Sequence, residues 1–361
     1  MLSIFVDIEG MVYIIAAAFV FWDQEGGAML LLDPISIGTL TLRNRLVMPP
    51  MAVKKGENGT ITQRVMDYYE QRVKDGVFGL VITEHCFVSA SGQASPGQLS
   101  LSRDQDIEGL SKLVDMIHGY GMPVFAQINH AGGKSLLVEG QTTSPAPSAK
   151  DYVTTPGDAV VSHEMIQAEI DQVIGDFVAA ALRAKQAGYD GVEIHSAHEY
   201  LLNEFYSPIS NKRTDDYTGA TLEGRIRLHR QIIRAIRKVV GDDYPLSLRL
   251  GALDYQEGSS TVEDAVEACR QFEAEGINLL SISGGLCGYR KPGAKEEGYF
   301  GEESQAVKEA VSIPVLLTGG VRSEQGAENL LQEGKADLIG VGRPVFKSGL
   351  WAPEEFADLL P

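Results

Sequence analysis

Short apolar strands alternate eight times with amphipathic helices, polar side chains close almost every strand, and the long connections gather at that same end. Together these features predict a (β/α)8 TIM barrel with long βα loops. In chain order the strands are expected at residues 45–49, 80–84, 124–129, 191–195, 246–250, 279–283, 315–319 and 338–342. Helical periodicity fills the intervals at 63–74, 107–119, 166–186, 222–239, 262–275 and 324–333. Gly121, Gly188, Gly241, Gly276 and Gly334 fall where these helices need a left-handed cap or turn.

An open doubly wound sheet would show the same alternation, so the strand ends decide. Glu84, Gln127, His195, Arg249, Ser283, Thr318 and Arg343 lie at or beside the C-terminal ends of successive strands, and only a closed barrel gathers them onto one rim. The long connections 88–106, 131–164, 196–220 and 284–302 follow strands two, three, four and six, on the side where function is expected.

The bulk composition narrows the functional classes. Hydrophobic residues make up 44% and charged residues 22% of the 361, as in a chain that buries a substantial core. A net charge of −18, with no dense basic run, argues against a nucleic-acid surface. Three cysteines, Cys86, Cys269 and Cys287, contain no CxxC pair, so neither a disulfide framework nor a four-thiolate metal site is expected, and the cytoplasm is the expected compartment. Residues 29–361 read as one domain and residues 1–28 as a non-native or disordered extension. Its apolar run at 11–22 is shorter than the roughly 20 residues a membrane span needs, and an interfacial anchor is the alternative.

Two glycine pairs mark one end of the expected site. Gly319-Gly320 follows strand seven, and Gly340-Val341-Gly342-Arg343 closes strand eight, the positions at which barrels commonly bind phosphate through backbone N–H groups. Either pair alone would read as a simple turn; together, with Arg343 as a cation, they point to a phosphate. No GxGxxG run follows the first strand, so a Rossmann site is not the source of nucleotide binding.

The other end is the segment 187–200, in which His195, His198 and Tyr200 leave the fourth strand. A His-x-x-His pair near Glu193 and Glu199 also suits zinc, but a third ligand is needed, strand alternation is expected to aim Glu193 away from His195, and no metal is expected. Segment 187–200, with Asn44 to Met51, Gln127 to Gly132, Pro145 to Ser148 and Asn211 to Tyr217, resembles the Old Yellow Enzyme family of FMN oxidoreductases over about residues 30–345.

The resemblance implies FMN as cofactor, NADH or NADPH as reductant, and a small electrophilic acceptor: an activated alkene, a quinone or a nitro compound. It places Pro50, Met51, Ala52 and His85 beside the flavin, Gln127 on its pyrimidine edge and Arg249 where reduction builds negative charge. Ser283, Gly284, Gly319, Gly320, Gly342 and Arg343 would hold the phosphate end. His195 and His198 would donate to the acceptor's oxygen, and Tyr200 would give a proton to carbon. A homo-oligomer is plausible in such a family.

The sequence also departs from that pattern. Glu199 and Thr218 replace glycines, Gly133 stands where an arginine is common, His85 occupies a position that is usually small, and Ala52 replaces the cysteine of one branch. These departures keep two alternatives open: an FMN barrel that oxidises its substrate, as dihydroorotate dehydrogenases do, and a non-catalytic flavin-binding barrel.

Overall fold

The computed structural model describes residues 6–8, 11–13, 29–154 and 157–348. Eight strands close into a parallel barrel: β1 (Leu46–Met48), β2 (Leu80–Phe87), β3 (Val124–Asn129), β4 (Gly191–Ser196), β5 (Leu246–Leu253), β6 (Leu279–Gly284), β7 (Val315–Leu317) and β8 (Leu338–Gly340). Each pairs with its chain neighbours, and β8 returns to β1 through Ile339 opposite Leu46. The expected barrel is therefore the observed one.

The outer layer comprises α1 (Gln63–Val73), α2 (Asp106–Gly119), α3 (Gln167–Gln186), α4 (Leu201–Tyr206), α5 (Leu222–Val240), α6 (Val262–Ala274), α7 (Gly301–Lys308), α8 (Glu324–Gln332) and α9 (Arg343–Ser348). Hydroxyl caps start several of them. Thr62, Thr221 and Ser323 accept from the backbone N–H three residues on, and Thr261 and Asp264 form a reciprocal capping box at 3.1 Å each way. Gly241, at φ +83°, ends α5 in a conformation that a Cβ would disfavour.

The N-terminal end of the barrel is plugged. Hairpin strands Ile35–Ile37 and Leu40–Leu42 place Ile37 and Leu42 against Val47, Leu80, Phe125, Leu279 and Leu338 in a core of their own. Both plug residues are fully buried, each worth roughly 1.5–3 kcal/mol relative to exposure. Glu328 of α8 accepts Leu30 N at 3.0 Å and Leu31 N at 2.9 Å, fastening the start of the domain to the last helices.

Three expectations need adjustment. Connection 131–164 holds a small sheet of Ser144–Ala146, Asp151–Val153 and Ala159–Glu164, in which the third strand pairs parallel with the first and antiparallel with the second. Connection 196–220 contains α4, and α7 begins where connection 284–302 ends; six- and eight-residue helices are too short to print a periodic signal. Strands β7 and β8 stop two residues earlier than expected, leaving Thr318 to Gly320 and Val341-Gly342 as loops. The expectation for residues 1–28 lies outside the described residues, except for Val6–Ile8 and Met11–Tyr13, which pair antiparallel.

Candidate active site

The turn after β4 sets the geometry of the reactive end. His195 is the penultimate residue of β4, and the next turn holds His198 and Glu199 at φ +63° and +60°. Two consecutive left-handed non-glycine residues cost about 1–2 kcal/mol each, so the turn needs outside support. Asn203 Oδ1 accepts Glu199 N at 2.8 Å, His198 N reaches Gly284 O at 3.4 Å, and the Glu199 carboxylate pairs with Lys134 and Lys150. The glycine-to-glutamate departure at 199 is thus accommodated by two lysines.

The turn brings His195, His198 and Tyr200 together. The His195 ring centroid lies 5.1 Å from that of His198 and 5.4 Å from that of Tyr200. Burial holds both imidazoles well below the usual histidine range, reinforced at His195 by His198 and Arg249 and at His198 by Arg249 and His85, so both are neutral at physiological pH. Burial also pushes the Tyr200 phenol up to about 12, keeping it protonated. His195 Nδ1 is buried without a partner, while His198 Nε2 is 2.9 Å from Ser283 Oγ on β6.

Beneath the turn lies a polar network inside the barrel. Gln127 Nε2 donates to Glu193 Oε1 at 2.8 Å, and Ser247 Oγ donates to Oε2 at 3.2 Å. Burial raises the Glu193 carboxyl above its usual range, opposed first by Arg249, and the Gln127 amide nitrogen committed to Glu193 leaves the Gln127 carbonyl oxygen for another donor. The expectation that Glu193 points away from His195 is incorrect. Residues two apart on a strand share a face, and Glu193 faces into the barrel between Gln127 and Ser247. Burial lowers Arg249 from the usual guanidinium range and the charge of Glu193 opposes that; Arg249 donates to Ser283 Oγ at 3.3 Å and keeps its Nε unpartnered.

Loop 49–54 is held from β2. Glu84 Oε2 accepts Val53 N at 3.1 Å and Lys54 N at 3.4 Å, which positions the preceding Pro50, Met51 and Ala52 at the rim. Burial raises the Glu84 carboxyl to about 8, and its Oε1 is buried without a partner.

At the glycine end, Gly342 is 3.8 Å from Met51 Sδ as measured from the position of an added Cβ, so the two ends share one rim. A Cβ on Gly320 would meet the Tyr299 ring at 2.5 Å, and one on Gly319 would meet Phe300 at 2.7 Å. Tyr299 therefore lies over the glycines; its hydroxyl accepts from Arg343 at 3.3 Å and donates to Tyr289 O at 2.6 Å. A cavity of about 550 Å³ opens beside them, lined by Arg290, Lys291, Lys295, Arg322 and Arg343. The sequence reading missed Glu193 as a network centre, Tyr299 and the basic loop 290–295; the Gly-Tyr-Phe before α7 was the available signal for Tyr299.

Comparison with known proteins settles the family. The sequence model of the NADH:flavin oxidoreductase / NADH oxidase family matches residues 30–353. The chain belongs to this family. An NADH oxidase of Thermoanaerobacter brockii is 37% identical over 325 residues, covering 87% of this chain and 49% of that protein. The chain thus spans about half the length of that relative. An NADPH dehydrogenase of Halalkalibacterium halodurans is also 37% identical, covering 89% of this chain and 92% of its own. The solved Old Yellow Enzyme homologue from Zymomonas mobilis superposes with a TM-score of 0.75 at 27% identity, covering 87% of this chain and 89% of that one.

Family membership brings FMN, and the rim residues fit it. Arg249 Nε, His195 Nδ1 and Thr318 Oγ1 are buried polar atoms without protein partners, and such atoms call for a ligand that supplies them. Among the described residues, no helix is long and apolar enough to cross a membrane.

Proposed function

We propose that the chain is an FMN-dependent oxidoreductase that takes hydride from NADH or NADPH and delivers it to an activated alkene, quinone or nitro acceptor in a ping-pong cycle. The observation that carries this reading is the pair of neutral imidazoles of buried His195 and half-buried His198, 5.1 Å apart and flanked by the protonated Tyr200. When bound, FMN supplies the hydride carrier between the two substrates.

The chain's own residues do the rest. Gln127 and Arg249 would hold the pyrimidine edge, with the buried guanidinium offsetting negative charge there. Pro50, Met51, Ala52 and His85 would flank the ring, and Ser283, Gly284, Gly319, Gly320, Gly342 and Arg343 would take the phosphate end. His195 and His198 donate to the acceptor oxygen on which charge accumulates, and two preorganised donors lower that barrier by several kcal/mol. Tyr200 gives its phenolic proton to the carbon next to the one that gains hydride.

The name of the NADPH dehydrogenase relative, matched along nine-tenths of its length, supports the nucleotide half. Anaerobic mixing of the FMN-loaded protein with NADPH or NADH, followed by cyclohexenone, a quinone and a nitroalkene, tests both halves. Bleaching of the flavin and its recovery on adding an acceptor are expected. Absence of bleaching with either nucleotide would overturn the reading.

A further inference from the structure

Between Thr83 and Cys86, β2 carries one residue more than its partner segment from Ala126 to Ile128. Such a bulge re-aims side chains, and here it affects Glu84 and His85. Glu84 turns to the loop after β1, while His85 turns to the histidine cluster, its ring centroid 5.3 Å from Tyr200 and 6.1 Å from His195.

The protonation of His85 is fixed by its neighbours. Gln98 Oε1 accepts Ala94 N at 2.6 Å, so the Gln98 amide nitrogen faces His85 Nδ1, at 2.9 Å. The Asn129 amide nitrogen lies on the same ring nitrogen at 3.3 Å. Nδ1 is therefore an acceptor and the proton resides on Nε2, at the opposite edge of the ring. Burial, Lys54 and Arg249 together lower the ring to about 4, so it is not an imidazolium at neutral pH.

We propose that His85 is a specificity-determining donor. Its Nε2–H takes a second oxygen of the acceptor's activating group while His195 and His198 hold the first, so the site favours a nitro or carboxylate group over a lone ketone. The inference rests on the hydride-transfer reading above and adds to it the class of acceptor. The electropositive setting suits a second oxygen: Arg249 and Lys54 both act on the His85 ring, and Arg249 and Lys134 both act on His198.

The test compares pairs of probes that share a ring and differ only in the activating group. Nitrocyclohexane and cyclohexanone, already saturated, are titrated into the FMN-loaded protein by perturbation of the flavin spectrum; nitrocyclohexene and cyclohexenone are then assayed for turnover. His85→Ala is expected to weaken nitrocyclohexane binding about tenfold, the worth of one hydrogen bond, and cyclohexanone binding less than about twofold. His85→Phe, which keeps a ring but has no N–H, is expected to behave like His85→Ala. His85→Gln, whose amide nitrogen reaches toward the Nε2 position, is expected to restore most of the preference. Equal weakening of both saturated probes, or of neither, overturns the proposal. A wild-type enzyme that reduces neither alkene overturns the hydride-transfer reading instead, and the ratio of binding constants still decides the role of His85.

Discussion

His198 Nε2 lies 2.9 Å from Ser283 Oγ, and the same hydroxyl oxygen accepts from Arg249 at 3.3 Å. One serine on β6 thus ties the His198 imidazole from the turn after β4 to the buried cation of β5. The hydrogen bond between that hydroxyl and His198 Nε2 orients the imidazole ring.

Removing that hydroxyl should loosen both partners. Ser283→Ala is expected to lower kcat/KM for cyclohexenone by about tenfold, equivalent to roughly 1.4 kcal/mol, and to weaken FMN retention. Steady-state kinetics and the fluorescence of released flavin measure the two effects separately.

The turn at 198–200 offers a backbone test. Glu199→Ala keeps the φ +60° strain and loses the lysine pairs, whereas Glu199→Gly loses the pairs but relieves the strain. The glycine variant should be more stable than the alanine variant by about 1 kcal/mol in chemical denaturation.

Gly133 and Tyr152 form a second compensated pair. A Cβ on Gly133 would sit 2.2 Å from the Tyr152 ring, so Gly133→Arg, which installs the residue common in the resembling family, is expected to destabilise by about 1–3 kcal/mol. Combining it with Tyr152→Ala should recover part of that loss, measured as non-additivity in a double-mutant cycle.

Two sets of buried groups give stability opposite pH dependences: they offset each other between about pH 4.5 and 6.5, and the sum falls as the pH rises from about 6.5 to 8. Below about pH 6.5, unfolded histidines take up protons that buried His85 and His130, at about 4, refuse, so the contribution of these two groups is lost as the pH falls toward 4. Glu84 and Glu204, each raised to about 8 by burial, bind a proton in the folded state that the unfolded chain releases near 4.5. Their contribution is complete below pH 4.5 and lost as the pH rises through 8, at up to about 1.4 kcal/mol per pH unit per group. Glu84→Gln should flatten the fall in denaturation midpoints between about pH 6.5 and 8.

Much of this architecture was legible because period and position carry it. Val262–Ala274 and Leu222–Val240 announce themselves by apolar spacing and threonine caps, and the barrel by where Gln127, His195 and Arg249 fall. The small sheet at 144–164 was not legible, since its strands of three, three and six residues are held by pairing and by Ser162 bonding Ser148 and Lys150 rather than by an apolar pattern. Glu193 was misplaced through an error of strand parity. The role of His85 depends on a bulge, and a single extra residue in a strand leaves no mark on composition or periodicity.

Two neutral imidazoles acting on the acceptor should set the rate at which it takes up hydride. The most direct measurement is the anaerobic rate at which cyclohexenone reoxidises the dithionite-reduced, FMN-loaded protein, compared with His195→Ala plus His198→Ala. Slowing by about a hundredfold or more, the loss of several kcal/mol of oxyanion stabilisation, is the predicted result. Equal rates in the two proteins, each holding FMN, would contradict it.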